Sequence, residues 1–193
     1  MAEDLRGAKA TLRTVFLAQR RSLSPRQVST WSEQAISRLR SLPEFTGARA
    51  YLVYLASKDN ELDTLPFVED LIREGRVVLV PVGGKERTLV WSRIESLAEA
   101  TPSTFGILEP RSECIRPVEP PAGSLAVVPG IVFTRDGGRI GYGAGYYDRF
   151  LAGFEGVKIG LAYEAQLAAA IPMEPHDVPL DIVVTEVAVY RCP

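Results

Sequence analysis

Strand-length apolar segments that alternate with amphipathic helices constrain the fold of this chain more than any other feature. The segments are ARAYLVYL (48–55), RVVLVPV (76–82), TLVWSRI (88–94), LAVVP (125–129), VKIGLAY (157–163), IVVT (182–185) and VAVY (187–190). A strand that is apolar along its whole length is typical of a parallel sheet covered by helices on both faces. The alternation predicts a layered α/β/α fold with a mostly parallel central sheet, in a single domain that spans residues 1–193.

Apolar spacing and capping residues predict the helices. Ser24-Pro25-Arg26-Gln27 predicts a capping box, and Thr64 is the expected N-cap of a helix that Gly75 ends. Residues 1–42 are expected to form a helical segment packed on the domain, and residues 101–124 a long ordered loop. Further helices are predicted near Tyr146 and over 164–170, and the apolar stripe of the first helix consists of Leu5, Ala8, Leu12, Val15, Phe16 and Gln19.

The composition excludes several classes of site. The chain has 22 basic and 24 acidic residues of scattered sign and a net charge of −2, which is not the profile of a nucleic-acid-binding protein. Cys114 and Cys192 are the two cysteines, without a CxxC motif, and His176 is the one histidine. A zinc site built on cysteine and histidine is therefore excluded, as is any Ser–His or Cys–His mechanism that does not use His176.

The N-terminal residues do not resemble a targeting or membrane segment. MAEDLRGAKA carries acidic residues where a secretory signal would be basic, and no long apolar stretch follows it. The apolar runs are far shorter than the roughly 20 residues that a membrane span requires. We therefore expect a soluble, cytoplasmic protein with no membrane or nucleic-acid partner.

A glycine-rich segment, RIGYGAGYYDRF (139–150), follows a predicted buried strand and leads into a predicted helix. Main-chain N–H groups at such a helix start form an anion site, and the missing side chains let a phosphate approach. Arg139 can clamp phosphate oxygens, and Asp148 suits Mg²⁺, which binds carboxylates together with substrate phosphates. A tight turn, a surface arginine and a first-turn carboxylate that favours the helix dipole are the alternatives.

Better-known phosphate motifs do not fit this segment. A dinucleotide-binding G-x-G-x-x-G that starts at Gly141 would need glycine where Tyr146 stands. A Walker A motif needs serine or threonine after Gly-Lys, and Gly84-Lys85 is followed by Glu86.

The stretch VVPGIVFTRDGGRIGYGAGYYDRFL (127–151) resembles the signature of the 5-formyltetrahydrofolate cyclo-ligase family, also called methenyltetrahydrofolate synthetase. Weaker matches occur in the expected order, namely KATLR (9–13), ELDT (61–64), FGILEP (105–110) and IPMEPHDVPLDIVVTE (171–186). The resemblance covers nearly the whole chain. It implies ATP- and Mg²⁺-dependent cyclisation of 5-formyltetrahydrofolate to 5,10-methenyltetrahydrofolate, with release of ADP and phosphate, by a monomer that acts on small molecules.

The resemblance also implies residue roles. Lys9 and Arg13 would reach the ATP phosphates, Glu61 and Tyr147 would bind the folate, and Asp148 and Asp177 would hold Mg²⁺. Arg139 and Tyr146 are the expected catalytic residues, with Arg139 stabilising the transferring phosphoryl group. The nucleotide would be lined by Arg139, Ile140, Gly141, Tyr142, Gly143, Ala144, Gly145, Tyr146 and Tyr147, with the three glycines offering main-chain amides.

Structural alternatives remain open for most of these residues. Lys9 and Arg13 also suit a solvated helix face, Asp177 a turn cap and Glu61 a plain loop position. Tyr146 and Tyr147 also suit core packing, and His176 is expected to be structural or to lie near the metal.

Three positions depart from the family pattern. Thr134 stands where relatives often have aspartate, with Asp136 two residues on, so a slightly different hairpin is expected. Tyr142 and Ala144 stand where some relatives have basic residues, which leaves the affinity for the nucleotide an open question.

Two other functions compete with the ligase activity. One is a non-catalytic domain of the same fold that binds nucleotide or RNA. The other is an ATP-independent sugar-phosphate isomerase or acyl-transfer enzyme that binds phosphate through the glycine-rich segment.

Overall fold

The computed structural model describes residues 2–103 and 106–193, and in the first helix the side chains from Leu5 onward. Phe105 of the FGILEP segment lies outside the described residues. The helices are α1 (Ala2–Arg21), α2 (Pro25–Arg40), α3 (Pro43–Thr46), α4 (Leu65–Arg73) and α5 (Tyr146–Leu151). The strands are β1 (Tyr51–Val53), β2 (Val78–Gly83), β3 (Leu89–Arg93), β4 (Ala100–Pro102), β5 (Leu108–Pro110), β6 (Leu125–Val128), β7 (Val132–Phe133), β8 (Arg139–Ile140), β9 (Val157–Leu161), β10 (Ile182–Val184) and β11 (Val189–Arg191).

Seven of these strands form one sheet in the order β11-β10-β9-β6-β1-β2-β3. Neighbours from β10 to β2 are parallel, and β11 and β3 are antiparallel strands at the two edges. The predicted mostly parallel sheet is therefore confirmed. The parallel strands β1 and β6 are fully buried, as their continuous apolar sequences require.

Helices cover both faces of this sheet. On one face, the buried residues Leu39 of α2, Phe45 of α3 and Leu71 of α4 belong to one apolar cluster with Tyr51 and Val127. The opposite face carries Leu52, Leu79 and Val128, which cluster with Phe133 of β7 and Leu151 of α5. The layered α/β/α arrangement follows from strands that expose an apolar side chain on each face.

The first helix packs beside the sheet on the small β7–β8 hairpin. Leu12, Phe16 and Leu17 contact the buried cluster of Ile131, Val132 and Ile140. The predicted stripe is wrong at Ala8, Val15 and Gln19, which are exposed, because the hairpin covers one side of the helix and Leu17 also contacts it.

Ligand sites of open α/β sheets lie where the order of strands reverses. The chain leaves β1 towards β2 and β3 at one edge, and leaves β6 towards β9 and β10 at the other. The reversal lies between β1 and β6, so the segments that follow these two strands face each other across a crevice. These segments carry Glu61 and the glycine-rich loop.

Two local predictions were wrong. The helix predicted over 164–170 is a single 3-10 turn, Glu164–Gln166, because Leu167 pairs with Phe133. The predicted loop 101–124 includes most of the β4–β5 hairpin. Thr64 is the N-cap residue of α4, as predicted, but its hydroxyl bonds to Tyr54 O (2.6 Å), and Asp63 Oδ1 accepts from the N–H of Leu65.

A further local prediction matches the structure. The capping box at Ser24 and Gln27 is present. Thr134, at the position where relatives often have aspartate, donates a hydrogen bond to Asp136 and accepts one from the N–H of Gly138 at 2.8 Å. These two side chains close the turn between β7 and β8.

Within the described residues, no helix combines the length and apolar character needed to cross a bilayer.

Gly137, at the tip of the β7–β8 hairpin, is expected to be the most sensitive glycine of this turn. Its φ is +92°, and an added Cβ would lie 2.4 Å from the carbonyl oxygen of Leu180. We expect Gly137→Ala to lower the free energy of unfolding in urea by about 2–4 kcal/mol.

Gly153→Ala is the matched control, because no atom lies within 4 Å of its added Cβ. It should change the free energy of unfolding by less than about 0.5 kcal/mol. Equal effects of the two substitutions would contradict the hairpin geometry.

Candidate active site

A cavity of about 1620 Å³ opens at the crevice between the ends of β1 and β6. Single-ligand pockets are commonly about 300–1,000 Å³, so this cavity has room for two small molecules. Every site residue predicted from the sequence lines it, namely Lys9, Arg13, Glu61, Arg139, Ile140, Gly141, Tyr142, Gly143, Ala144, Gly145, Tyr146, Tyr147, Asp148 and Asp177. Residues from four separate parts of the chain thus meet at one place.

Two guanidinium groups lie against the glycine-rich loop. Arg13 Nε donates to the carbonyl oxygen of Gly141 at 2.7 Å, and an added Cβ at Gly143 would lie 3.3 Å from Arg13 Cζ. An added Cβ at Gly141 would lie 3.0 Å from Arg139 Nη1. The glycines therefore let two cations approach the main chain. Because α5 is only 6 residues long, these cations, more than the helix dipole, make the loop attractive to anions.

Arg139 and Asp148 form a partly buried ion pair. Arg139 is 6% exposed, and its Nη2 lies 2.7 Å from Asp148 Oδ1. Its Nε is buried and has no hydrogen-bond partner among the described residues. The alternative of a solvated surface arginine is therefore wrong.

Lys9 joins α1 to the loop 174–178. The ammonium is 2.8 Å from Glu174 Oε2 and 2.5 Å from Asp177 Oδ2, and Lys9 is 7% exposed. Burial lowers the pKa of Lys9, but the two carboxylates outweigh burial and raise that pKa above its usual value. Burial also opposes ionisation of Asp177, yet Lys9 and the Glu174 N–H hold the pKa of Asp177 below its usual value. The alternative of a solvated lysine is wrong.

The carboxylates at the cavity suit a hard cation. Asp148 Oδ1 pairs with Arg139 and Asp177 Oδ2 with Lys9, and the other oxygen of each accepts no hydrogen bond from the described residues. Glu174, His176 and Asp177 also offer ligand atoms within 4.8 Å of one another. Oxygen donors beside a phosphate site fit Mg²⁺. His176, with a side chain 70% exposed, lies at the rim of this cluster.

Glu61 is a half-buried carboxylate without an ion-pair partner among the described residues. Its Oε2 accepts a long hydrogen bond, 3.3 Å, from the N–H of Ser57. Burial raises the pKa of the Glu61 carboxyl, and the charges of Arg20 and Lys58 only partly oppose this shift. A desolvated carboxylate of this kind is a strong acceptor for a ligand that offers N–H donors.

The tyrosines of the loop have different environments. Tyr147 packs on Trp91 with ring centroids 6.4 Å apart, and Arg139 Cζ lies 5.8 Å from its ring centroid. The Tyr147 hydroxyl is buried without a hydrogen-bond partner among the described residues, and burial raises its pKa. Tyr146 is half-buried, Tyr142 is 45% exposed, and Ala144 is exposed. Ile140 is 2% exposed and packs under α1.

Sequence reasoning missed Arg20 and Glu174. Arg20 is 3% exposed and donates to Asp59 O, Gly130 O and the Tyr142 hydroxyl at 2.8, 3.0 and 2.7 Å. Arg20 lies beside the apolar stripe of α1, and its three partners are 39 to 122 positions away in the chain, so no local pattern indicates its burial. Glu174 shares the Lys9 ammonium with Asp177, three residues away, and this spacing was the available signal.

The model of the 5-formyltetrahydrofolate cyclo-ligase family matches residues 6–186. The 5-formyltetrahydrofolate cyclo-ligase of Escherichia coli (strain K12) is 33% identical over an alignment of 179 residues. The match covers 90% of this chain and 97% of that protein.

Two solved structures share the fold. The NMR structure of Aquifex aeolicus 5,10-methenyltetrahydrofolate synthetase has a TM-score of 0.80 and 34% identity, and the match covers 95% of this chain and 92% of that chain. A Mycoplasma pneumoniae 5,10-methenyltetrahydrofolate synthetase has a TM-score of 0.74 and 24% identity, over 92% of this chain and 98% of that chain, and this likeness concerns the fold alone. The chain belongs to the 5-formyltetrahydrofolate cyclo-ligase family, as the motifs around its glycine-rich loop predicted.

Proposed function

We propose that this protein catalyses the ATP- and Mg²⁺-dependent cyclisation of 5-formyltetrahydrofolate to 5,10-methenyltetrahydrofolate, with release of ADP and phosphate. The observation that carries the proposal is one cavity lined by three sets of groups. They are the guanidinium groups of Arg13 and Arg139 against the glycine-rich loop, the carboxylates of Asp148 and Asp177 with one oxygen each in an ion pair, and the Glu61 carboxylate, which has no ion-pair partner among the described residues. The first two sets match a magnesium–triphosphate complex. The third matches a pterin ring.

The reaction needs activation of a poor leaving group. The formyl oxygen attacks the γ-phosphorus of ATP, the bond to the bridging oxygen breaks, and ADP leaves. N10 then attacks the activated formyl carbon, and after N10 loses its proton the C–O bond breaks and phosphate leaves. Phosphoryl transfer of this kind depends mainly on positioning and charge neutralisation, so it needs neither a cysteine nor a zinc site.

The cations of the cavity supply most of that positioning. Arg13 and the amides of Gly141, Gly143 and Gly145 would hold the phosphates. Arg139 would stabilise the transferring phosphoryl group, and Tyr146 would orient the reacting groups. Lys9 would contact the phosphates while holding Asp177 in place, with the rest of the segment 139–147 lining the nucleotide.

Asp148 and Asp177 would hold Mg²⁺ through the carboxylate oxygens that their ion pairs leave free. When bound, the ion neutralises charge on the phosphates. Glu61 would accept the paired N–H donors of the pterin, and Tyr147 would pack on the substrate next to Arg139.

We further propose that residues 1–193 act as one domain and as a monomer in the cytoplasm, without nucleic-acid or membrane partners. The net charge of −2 and the scattered signs support the absence of a nucleic-acid partner.

The direct test combines purified protein, 5-formyltetrahydrofolate, Mg²⁺ and ATP. The expected result is ultraviolet absorbance of the methenyl product with one ADP released per product. Nucleotide binding without turnover would instead favour a non-catalytic domain. Product formation without ATP would favour an ATP-independent enzyme.

Arg139→Met removes the guanidinium while keeping most of the side-chain volume. We expect kcat to fall about 10²–10³-fold because stabilisation of the transferring phosphoryl group is lost. The dissociation constant of the folate substrate should change much less, as measured by calorimetry without nucleotide.

Arg135→Met is the matched control, because Arg135 pairs with Glu164 and its side chain is 67% exposed. Its kcat should equal that of the unaltered protein. A similar kcat for both variants would remove Arg139 from the mechanism.

Glu61→Gln should stabilise the protein and weaken its binding of the folate. At pH 7 the free energy of unfolding should rise by about 0.5–2 kcal/mol, because a desolvated charge is removed. The folate KM should rise about 10- to 100-fold, because a charged acceptor is lost.

The stability gain should depend on pH. Because the pKa of Glu61 is raised on folding, the folded protein keeps a proton that the unfolded chain has lost, so stability falls as pH rises through the folded pKa. The gain of the variant should therefore vanish below the ordinary glutamate pKa of 4.5. Glu69→Gln, at an exposed position on α4, should change neither quantity, and a pH-independent gain for Glu61→Gln would contradict the burial argument.

A further inference from the structure

A hydrogen-bonded cluster of Arg20, Asp59, Asn60 and Tyr142 connects the glycine-rich loop with the turn that precedes Glu61. We refer to these four residues as the latch. Arg20, at the end of α1, donates through Nη2 to the Tyr142 hydroxyl (2.7 Å) and through Nε to the carbonyl oxygen of Asp59 (2.8 Å). Its exposed fraction of 3% means that the guanidinium is committed to these bonds and to Gly130.

The Tyr142 hydroxyl joins the two segments directly. While it accepts from Arg20, it donates to Asp59 Oδ2 at 3.1 Å. Lys58 Nζ lies 4.6 Å from the ring centroid, so the ring also contacts the same turn. The side chain is nonetheless 45% exposed and lies at the cavity where the nucleotide is proposed to bind.

The turn itself has an unusual conformation that depends on these contacts. Asp59 and Asn60 have φ of 56° and 51°, in the left-handed region that aspartate and asparagine tolerate better than most residues. Asn60 Nδ2 donates to the carbonyl oxygens of Arg20, Arg21 and Leu23 at 3.3, 3.1 and 2.9 Å. Glu61 follows directly, and its carboxylate accepts from the N–H of Ser57 at the other end of the same turn.

We propose that Arg20 and Tyr142 are positioning residues that couple nucleotide binding to folate binding. The inference rests on the proposed function, which assigns the two ligands to the loop 139–147 and to Glu61. A nucleotide that orders the loop fixes Tyr142, and Tyr142 fixes the turn 57–60 through Asp59 and Arg20. The folate then meets a carboxylate that is already ordered, and linkage requires the reverse effect to be equal.

Tyr142→Phe tests the coupling and removes no partner from the bonds of Arg20 to the carbonyl oxygens of Asp59 and Gly130 or from those of Asn60. The variant keeps the ring and its contact with Lys58 and removes the hydroxyl that Arg20 and Asp59 share. Calorimetry would measure the dissociation constant of 5-formyltetrahydrofolate with and without a non-hydrolysable ATP analogue and Mg²⁺. We expect the analogue to tighten folate binding at least about fivefold in the unaltered protein and less than about twofold in the variant.

Amide hydrogen exchange gives a second readout that a merely structural role would not change. In the unaltered protein, the nucleotide analogue alone should slow exchange at residues 57–61. In Tyr142→Phe the same addition should leave exchange there unchanged, at equal melting temperatures.

Tyr190→Phe is the matched control. The Tyr190 hydroxyl donates to Glu164 Oε1 at 2.7 Å and Arg135 Cζ lies 5.1 Å from its ring centroid, so the same chemistry recurs away from the cavity lining. It should keep the full ratio of dissociation constants.

Three outcomes would overturn the proposal. An unchanged ratio in folded Tyr142→Phe, or a ratio near one in the unaltered protein, would overturn the coupling and leave the ligase function intact. Failure of the unaltered protein to bind either ligand would overturn the proposed function and the coupling with it.

Discussion

Burial of cationic side chains at the carboxyl end of the sheet is the constraint on which the site depends. Lys9, Arg20 and Arg139 are 7%, 3% and 6% exposed, and a buried charge is tolerated where partners surround it. Lys9 and Arg20 stand on α1, so their partners bind that helix to the loop 174–178 and to the turn after β1. Three apolar side chains of α1 pack on the β7–β8 hairpin, and the bonds of Lys9 and Arg20 add fixed points towards each end of the same helix.

At the same site, the carboxylate of Glu61 has no ion-pair partner among the residues that the structure describes. Glu61 is desolvated and carries a raised pKa, whereas Asp148 and Asp177 each share one oxygen with a cation. This arrangement suits two ligands with different requirements. A polyanion with its metal needs cations and carboxylate oxygens that are not already in ion pairs, and a ring that donates N–H groups needs a free acceptor.

The sequence predicted the features that depend on local pattern. Fully apolar strands predicted the parallel sheet, Ser24 and Gln27 predicted a helix start, and the glycine-rich motif located the cavity. Features that depend on distant contacts were missed. Arg20 donates hydrogen bonds to residues 39 to 122 positions away. In the 164–170 segment, Leu167 pairs with Phe133 of β7, and the predicted helix is reduced to one 3-10 turn. At the start of α4, Thr64 is the N-cap residue but its hydroxyl bonds to Tyr54, the residue after β1, and Asp63 accepts the N–H of Leu65.

The reversal of strand order between β1 and β6 makes the cavity a product of the whole fold and not of one segment. One wall of the cavity comes from residues near 60 and the other from residues 129–148 and 174–178, while Lys9 pairs with Asp177 across 168 positions of chain. The cavity therefore has its full lining only when these distant segments are folded together. Contacts that close such long stretches of chain form slowly, so the site is expected to be among the last parts of the molecule to become ordered during folding.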